Sequence, residues 1–391
     1  MNNLWTHEES SHFKTDLELR VYTSNLLGRS DSLVLHGGGN TSVKTVIEGE
    51  NILFVKGSGW DLVNIKAEGF APVKLEALLE MAKLPTLSDS DMVSRQKTAM
   101  INKFAPNPSV EAILHAIIPF KFVDHTHADA VVTISNSQNG FKNIEKVFPN
   151  FLIIPYVMPG FILAQEIYKI TRTIDWNSIN GIILHNHGIF TFDDDAKKSY
   201  DKMIDSVSHA EEFLKENTHV NLLVSPKKEF TFTKLQEILS KGKGYEVFLK
   251  INTSNLAFTY ASHEKLTAFA TRGVLTPEHI IRTKRIPLIL ENSNIEEGIE
   301  KYKEDYKSYF AKFAKDEISL NHAPNYIVIK DFGVITCGKN EKEAEIINDI
   351  VNHTMMAVLQ ADKLGGYKSI SLEESFKMEY WELEQAKLKK S

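Results

Sequence analysis

The sequence predicts an α/β fold in two parts: a larger layered domain with a partly antiparallel sheet flanked by helices, and a smaller α/β domain behind it. Three observations carry the prediction. Short apolar runs of strand type alternate with amphipathic helical stretches through the first half of the chain. Several of these runs meet through glycine turns, which suit antiparallel neighbours better than crossover helices do. The length of 391 residues exceeds one typical domain and suits two.

The elements follow in order. Residues 16–27 carry Leu17, Leu19, Val21, Leu26 and Leu27 in a helical context that closes at Gly28. "SLVLHGGGNTSVKTV" reads as strand, glycine turn, strand, and "NILFVKGSG" as a further strand ending on a glycine turn. "VKLEALLEMAKL" and "PSVEAILHAIIP" are amphipathic helices, and "FVDHTHADAVVTIS" is a strand running into a helix. "FLIIPYV", "GIILHNHGIFTF" and a helix over 195–216 complete the first domain. The lysine-rich, polar segment 224–243, around "SPKKEFTFTK", marks the boundary, giving domains 1–223 and 224–391. Beyond it, "VIKDFGVITCGKNEKEAEIINDIVNHTM" lies without a gap over "ILHNHGIFTFDDDAKKSYDKMIDSVSHA". Gly333 then falls on Gly188, Val334 on Ile189, Thr336 on Thr191, and Phe332 on His187. One reading is that the smaller domain is a degenerate repeat that has lost a histidine. The other is that strand, glycine turn and helix recur by chance.

Composition narrows the function. Lys and Arg number 45 against 51 Asp and Glu, a net charge of −6, so there is no basic footprint for nucleic acid. One cysteine, Cys337, excludes an internal disulfide framework and fits a reducing compartment. The start "MNNLWTHEESSHFKTD" is polar and acidic, unlike a signal or transit peptide. No apolar run approaches the roughly 20 residues that span a bilayer. A cytoplasmic enzyme is the expectation.

Histidine spacing points to the chemistry. His125 and His127, one residue apart on a strand, share a face and can reach one ion. "LHNHGIF" adds His185 and His187, and geometry alone leaves either as a third ligand. Three neutral imidazoles with an open position make a catalytic zinc site, and also admit other divalent metals. Glu111 and His115, four apart on one helix face, return directly towards this strand. Glu111 is therefore either a general base beside the ion or an exposed first-turn carboxylate, capped by Ser109 and favoured by the helix dipole. The glycine turns "GGGNTS" and "KGSGW" offer backbone N–H groups suited to a phosphate or carboxylate, and neither matches a nucleotide fingerprint.

Taken together, G-N-T-S at 39–42, K-G-S-G at 56–59, the Glu111 and His115 helix, H-T-H at 125–127 and N-H-G at 186–188 resemble the class II aldolase/adducin family. That resemblance implies a layered fold with a central, mainly antiparallel sheet. It makes His125, His127 and His187 the zinc ligands and Glu111 the catalytic acid/base. It gives Asn40, Thr41, Ser58 and Gly59 to the phosphate of a sugar phosphate. Tyr156, in "IPYVMPG", would be the second proton-transfer group, although Pro159 replaces the usual Phe before Gly160. Such tyrosines act across a subunit interface, which implies a homo-oligomer, possibly a tetramer. His115 and His185 would stand behind the ligands. "LHGGGNTSVK", "FVKGSGWDL", "TRGVLTPEHIIRTKR" and "GGYKSISLEESFKMEYWELEQAKL" look like the aldolase part of bifunctional rhamnulose-1-phosphate aldolase/alcohol dehydrogenases. The chain stops where their dehydrogenase domain would begin and carries no dinucleotide fingerprint, so that activity is not expected of it. In "TRGVLTPEHIIRTKR", Thr276, His279, Arg282 and Lys284 offer donors to an anion, or else a capped helix start with a solvated basic face.

The resemblance implies zinc-dependent retro-aldol cleavage of a ketose 1-phosphate, such as rhamnulose or fuculose 1-phosphate, to dihydroxyacetone phosphate and an aldehyde. Pentulose-phosphate 4-epimerases, dehydratases and decarboxylases of the superfamily share the same ligands. Adducin-type members keep the fold as an interaction module and lose the histidines, which this chain retains.

Overall fold

The computed structural model describes residues 1–226, 232–291 and 294–388. The chain divides into two compact units, Met1–Ser135 with Gly140–Leu214, and Asn136–Asn139 with Lys215–Ser391. The expected boundary lay after residue 223, and the middle of its lysine-rich segment, 227–231, falls outside the described residues. No helix among the described residues is long and apolar enough to cross a membrane.

The first unit is built on a seven-stranded sheet: β1 (Asn40–Ile47), β2 (Glu50–Lys56), β3 (Phe70–Lys74), β4 (Phe122–Thr126), β5 (Phe151–Ile154), β6 (Gly181–Leu184) and β7 (Gly188–Asp193). The order is β3-β2-β1-β4-β7-β6-β5, antiparallel at every pairing except β5 with β6, so the sheet is mainly antiparallel as expected. Val123, Ile182, Leu184, Phe190 and Phe192 face Leu163 and Ile167 of the helix Phe161–Thr171 in one apolar core. Burial of each such side chain contributes roughly 1.5–3 kcal/mol. Helix Asp16–Gly28 starts in a capping box between Thr15 and Glu18. Its fully buried Arg20 pairs with Asp124 and donates to the Ser42 and Val123 carbonyls. Ser199 donates to the other oxygen of Asp124. The residue before His125 is thereby pinned by charge as well as by packing.

Two expectations need correction. Residues 32–35 form a turn and not a strand, with Leu33 N and Val34 N both donating to Ser30 O. Leu33 and Val34 are buried all the same, and these residues join none of the strands. "GIILHNHGIFTF", read above as one segment, is a hairpin of two strands, and Gly188 opens the second.

The second unit has a four-stranded sheet of β8 (Phe248–Asn252), β9 (Leu288–Leu290), β10 (Tyr326–Ile329) and β11 (Gly333–Gly338), in the order β8-β11-β10-β9. Only β9 and β10 pair in parallel. The same succession appears as β4 to β7 in the first unit. With Gly333 set on Gly188, both bounds of β10 and β11 fall on those of β6 and β7, and the start of helix Glu341–Lys363 falls on that of Ala196–Asn217. β8 pairs with β11 as β4 pairs with β7: Phe248 opposes Gly338 as Phe122 opposes Asp193. Each is followed by a seven-residue helix, Asn255–Ala261 and Asp129–Ser135. A side-chain bond also recurs, Thr191 Oγ1 to Ser199 O at 3.1 Å and Thr336 Oγ1 to Ala344 O at 2.8 Å. Coincidence in bounds, register and this bond favours a degenerate repeat over chance recurrence.

Candidate metal centre

The site forms where β4 ends and the β6–β7 turn crosses it. His125, wholly buried, has Nδ1 3.0 Å from Ile189 O. A carbonyl only accepts, so Nδ1 carries the proton and Nε2 is left with its lone pair. Phe190 stacks on the ring at 4.0 Å and holds its plane. His127, just past the strand, brings its Nε2 to 3.0 Å from that of His125. His187 arrives from the turn, its ring 5.2 Å from His125 and 5.0 Å from His127. Gly188 is required here: a Cβ on it would stand 2.4 Å from Thr126 O and 3.0 Å from a His125 ring carbon.

These three histidines place one ring nitrogen each within 4.8 Å of one another. Nitrogens about 2.0–2.1 Å from one tetrahedral ion stand about 3.3 Å apart, so small adjustments suffice. Glu111 lies with Oε2 3.5 Å from His125 Nε2 and Oε1 3.8 Å from His187 Nε2. It is 6% exposed, which overturns its reading as a solvated first-turn carboxylate, and Oε1 has no hydrogen-bond partner. A buried carboxylate with an unsatisfied oxygen beside three imidazoles calls for a cation, and the donor set fits zinc or a similar divalent ion. His185 stays out of this cluster: its Nδ1 meets Asn186 Oδ1 at 2.6 Å and its ring packs on Phe141.

A polar chain runs back from Glu111. Asn40 Nδ2 donates to Glu111 Oε2 at 2.6 Å, and the Asn40 carbonyl oxygen accepts from His115 Nε2. His115 Nδ1 then accepts from the Ser42 hydroxyl at 2.8 Å. Burial holds His115 well below the ordinary histidine range, and the His125, Lys44 and Arg20 charges push the same way. A neutral His115 with this tautomer fixes the Asn40 amide, which in turn holds one oxygen of Glu111 and leaves the other free.

The first glycine turn flanks this centre. A Cβ on Gly38 would stand 3.3 Å from His127 Nδ1, and one on Gly39 would stand 2.7 Å from His125 O. Lys56, buried at the end of β2, donates to Gly37 O at 3.2 Å. Burial pulls it down to about 8, while the Asp61 and Glu111 carboxylates hold it up. Sequence reading passed over this lysine in favour of the glycines after it, although a lysine closing an apolar strand was a visible signal.

The remaining expected residues fall in varied places. Ser58 and Gly59 are exposed on their turn, Gly59 at φ 86°. Asn40 is occupied by Glu111 and His115, and the fully buried Thr41 hydroxyl shares a 2.8 Å bond with Ser24. Tyr156 follows β5 at the sheet edge, with β6 and β7 between it and β4. His279 and Arg282 lie in the second unit, on the short helix His279–Thr283.

Comparison with known proteins agrees with this geometry. Residues 18–214 match the family described as "Class II Aldolase and Adducin N-terminal domain", and residues 227–388 match "Aldolase class II, second domain". A solved N-terminal class II aldolase domain of a conserved protein from Thermoplasma acidophilum is 41% identical, covering 55% of this chain and 99% of its own, with a TM-score of 0.51. The L-fuculose-1-phosphate aldolase from Thermus thermophilus covers 51% of this chain and 95% of its own, but at 15% identity and a TM-score of 0.34 nothing is transferred from it. A curated relative from Bacillus subtilis (strain 168), "Uncharacterized oxidoreductase YuxG", is 28% identical over 99% of this chain. The chain spans 60% of that relative's length.

Proposed function

The chain belongs to the class II aldolase and adducin family, and on that premise we propose that it is a metal-dependent aldehyde-lyase. Its substrate in this proposal is a ketose 1-phosphate of the rhamnulose or fuculose type, cleaved to dihydroxyacetone phosphate and an aldehyde. The supporting observation is the convergence of His125, His127 and His187 on one point beside the unsatisfied oxygen of Glu111. A divalent ion held by the three histidines, zinc in this proposal, would supply a Lewis acid for the ketose carbonyl.

The chain's own groups do the rest. Glu111 Oε1 moves the proton at the carbon that becomes carbanionic, while Asn40 keeps Oε2 in place. His115 and Ser42 set Asn40 and so act as positioning residues. The turns at 37–39 and 57–59, with Lys56 between them, would receive the phosphate and hold the reacting carbons over the histidines. Tyr156 would act at the aldehyde oxygen from a neighbouring subunit, which makes a homo-oligomer part of the proposal.

Rhamnulose 1-phosphate, fuculose 1-phosphate and pentulose 5-phosphates form the test panel. Release of dihydroxyacetone phosphate from a ketose 1-phosphate, lost in His125→Ala together with bound zinc, is the expected result. Epimerisation of a pentulose phosphate without cleavage would move the assignment to the epimerases. Full activity in a metal-free His125→Ala protein would overturn it altogether.

A further inference from the structure

The second unit lacks those three histidines but holds a different set of buried titratable groups. The helix His279–Thr283 ends at Lys284, whose φ of 61° is a left-handed conformation that lysine adopts only at a cost. The side chain is 5% exposed. Its Nζ lies 3.6 Å from the centre of the Tyr306 ring and has no hydrogen-bond acceptor. The other buried lysines differ: Lys56 donates to Gly37 O and Lys243 to Asn325 Oδ1. Buried ammonium groups without acceptors are rare, and each calls for an explanation.

An acid stands beside it. Glu379, 2% exposed, accepts from the Tyr306 hydroxyl at 2.8 Å, and that hydroxyl also meets the Tyr380 hydroxyl at 2.8 Å. A cleft of about 530 Å³ opens between β9 and the helix Ile295–Phe313, lined among others by Arg285, Tyr302, Tyr306 and Tyr309. Tyr306 belongs to both features, since it lines the cleft and its ring carries Nζ. Burial pulls the Lys284 ammonium down to about 7, against the opposing pull of Glu379 and with help from the Lys243 charge. Burial raises the Glu379 carboxyl in the same way. Both groups therefore lean towards their neutral forms, an amine that can attack and an acid that can donate.

We propose that the second unit carries a carbonyl-binding site, in which Lys284 is an amine nucleophile that forms an imine with a small aldehyde or ketone entering through the cleft between β9 and the helix Ile295–Phe313. The Nζ lone pair forms the N–C bond as the carbonyl π bond breaks, and a proton from Glu379, passed through Tyr306, goes to the oxygen. The amine proton returns to the carboxylate, which passes it on to the carbinolamine hydroxyl; that group leaves as water as the nitrogen lone pair forms the C=N bond, and the second amine proton restores the acid. Nothing is oxidised or reduced, and the carbonyl compound is the only reactant added. At pH 7 such a lysine holds a larger share of neutral amine than an exposed one.

Reductive trapping tests this on the whole chain. The protein is incubated at pH 7 with glycolaldehyde and sodium cyanoborohydride, and the modified lysines are located by peptide mass spectrometry. Lys284 is expected to acquire the reduced adduct at least ten times faster than the exposed Lys301. The near-isosteric Glu379→Gln is expected to slow labelling of Lys284 at least ten-fold while leaving Lys301 unchanged. Lys284 labelled no faster than Lys301 in folded wild-type protein would overturn the proposal and leave it a structural cation on Tyr306. An unchanged rate in folded Glu379→Gln would overturn the assigned proton path. The labelling reads the second unit alone, so it stands or falls apart from the reaction proposed for the first.

Discussion

The β4–β7 module of the first unit and the β8–β11 module of the second share bounds, register and strand order, yet among the described residues only the first holds a histidine cluster that could bind a metal ion. Register places Ile251 where the first unit has His125, and Thr253 and Phe332 stand in the places of His127 and His187. The skeleton survives because its needs are elsewhere: alternating apolar strand faces, a tight turn, and a threonine hydroxyl tied to the following helix. The three ligand positions sit at strand ends and in a turn, where the fold tolerates either imidazole or apolar groups. Fold and chemistry are therefore separable in this molecule, and each module is a control for the other.

Exchanging the ligand position tests that separation most strongly. His187→Phe installs the second unit's residue in the first and removes one of three ligands. Metal content by plasma emission should fall to background, and cleavage activity should drop at least ~10³-fold, about 4 kcal/mol of transition-state stabilisation. Circular dichroism should stay unchanged. The reciprocal Phe332→His should recruit no metal, since Ile251 and Thr253 give it no partners. Metal retained by His187→Phe would show that His185 can substitute, and would reopen the choice that the hairpin geometry closes.

The paired glycines come next. A Cβ on Gly188 would meet Thr126 O at 2.4 Å, and one on Gly333 would meet Asn252 O at 2.4 Å, the same contact in the two modules. Either substitution to Ala should cost about 1–3 kcal/mol in urea unfolding. Only Gly188→Ala should also weaken metal binding, because its methyl presses on His125 and His127 as well. Equal metal affinity in both variants would break the comparison at its centre.

His115 offers a smaller effect with a pH signature. His115→Phe leaves the Asn40 carbonyl unpaired and frees its amide to turn from Glu111, so turnover should fall about 10–100-fold with metal still bound. The folded chain keeps His115 neutral well below the ordinary 6.5, whereas the unfolded chain takes up a proton there. Its contribution to stability is thus present above pH 6.5 and is lost as the pH falls below it, by about 1.4 kcal/mol per unit. The acid slope of stability should be shallower by that amount in His115→Phe, and an unchanged slope would show that His115 already carries a proton in the fold.

These differences also explain what the sequence made legible. Period-two spacing put His125 and His127 together, and the ungapped overlay of 183–210 on 328–355 offered a repeat as one of two readings, because both depend on local order. The turn at 32–35 and the double role of Asn40 were not legible. Leu33 and Val34 look like strand residues whether they pair or merely plug a core, and Asn40 reaches His115 through a contact 75 residues away in sequence. Lys284 shows the same limit: beside Arg285 it reads as a basic surface, and only tertiary packing buries it.

The finest test of the repeat is its shared threonine. Thr191 and Thr336 each tie their strand to the following helix through one hydroxyl bond to a carbonyl. Both are fully buried, so Thr→Val removes a donor without opening space and leaves each helix carbonyl with its backbone partner alone. The two variants should each lose about 1 kcal/mol in urea unfolding, with activity unchanged in Thr336→Val. If the bonds are inherited parts of one skeleton, the two losses should agree within about 0.5 kcal/mol, and they should add in the double variant because the sites share no partners. A loss confined to Thr191→Val would instead mean that the second module has replaced the bond's contribution with the aromatic packing around Tyr306 and Phe376, and that the likeness between the modules is one of shape alone.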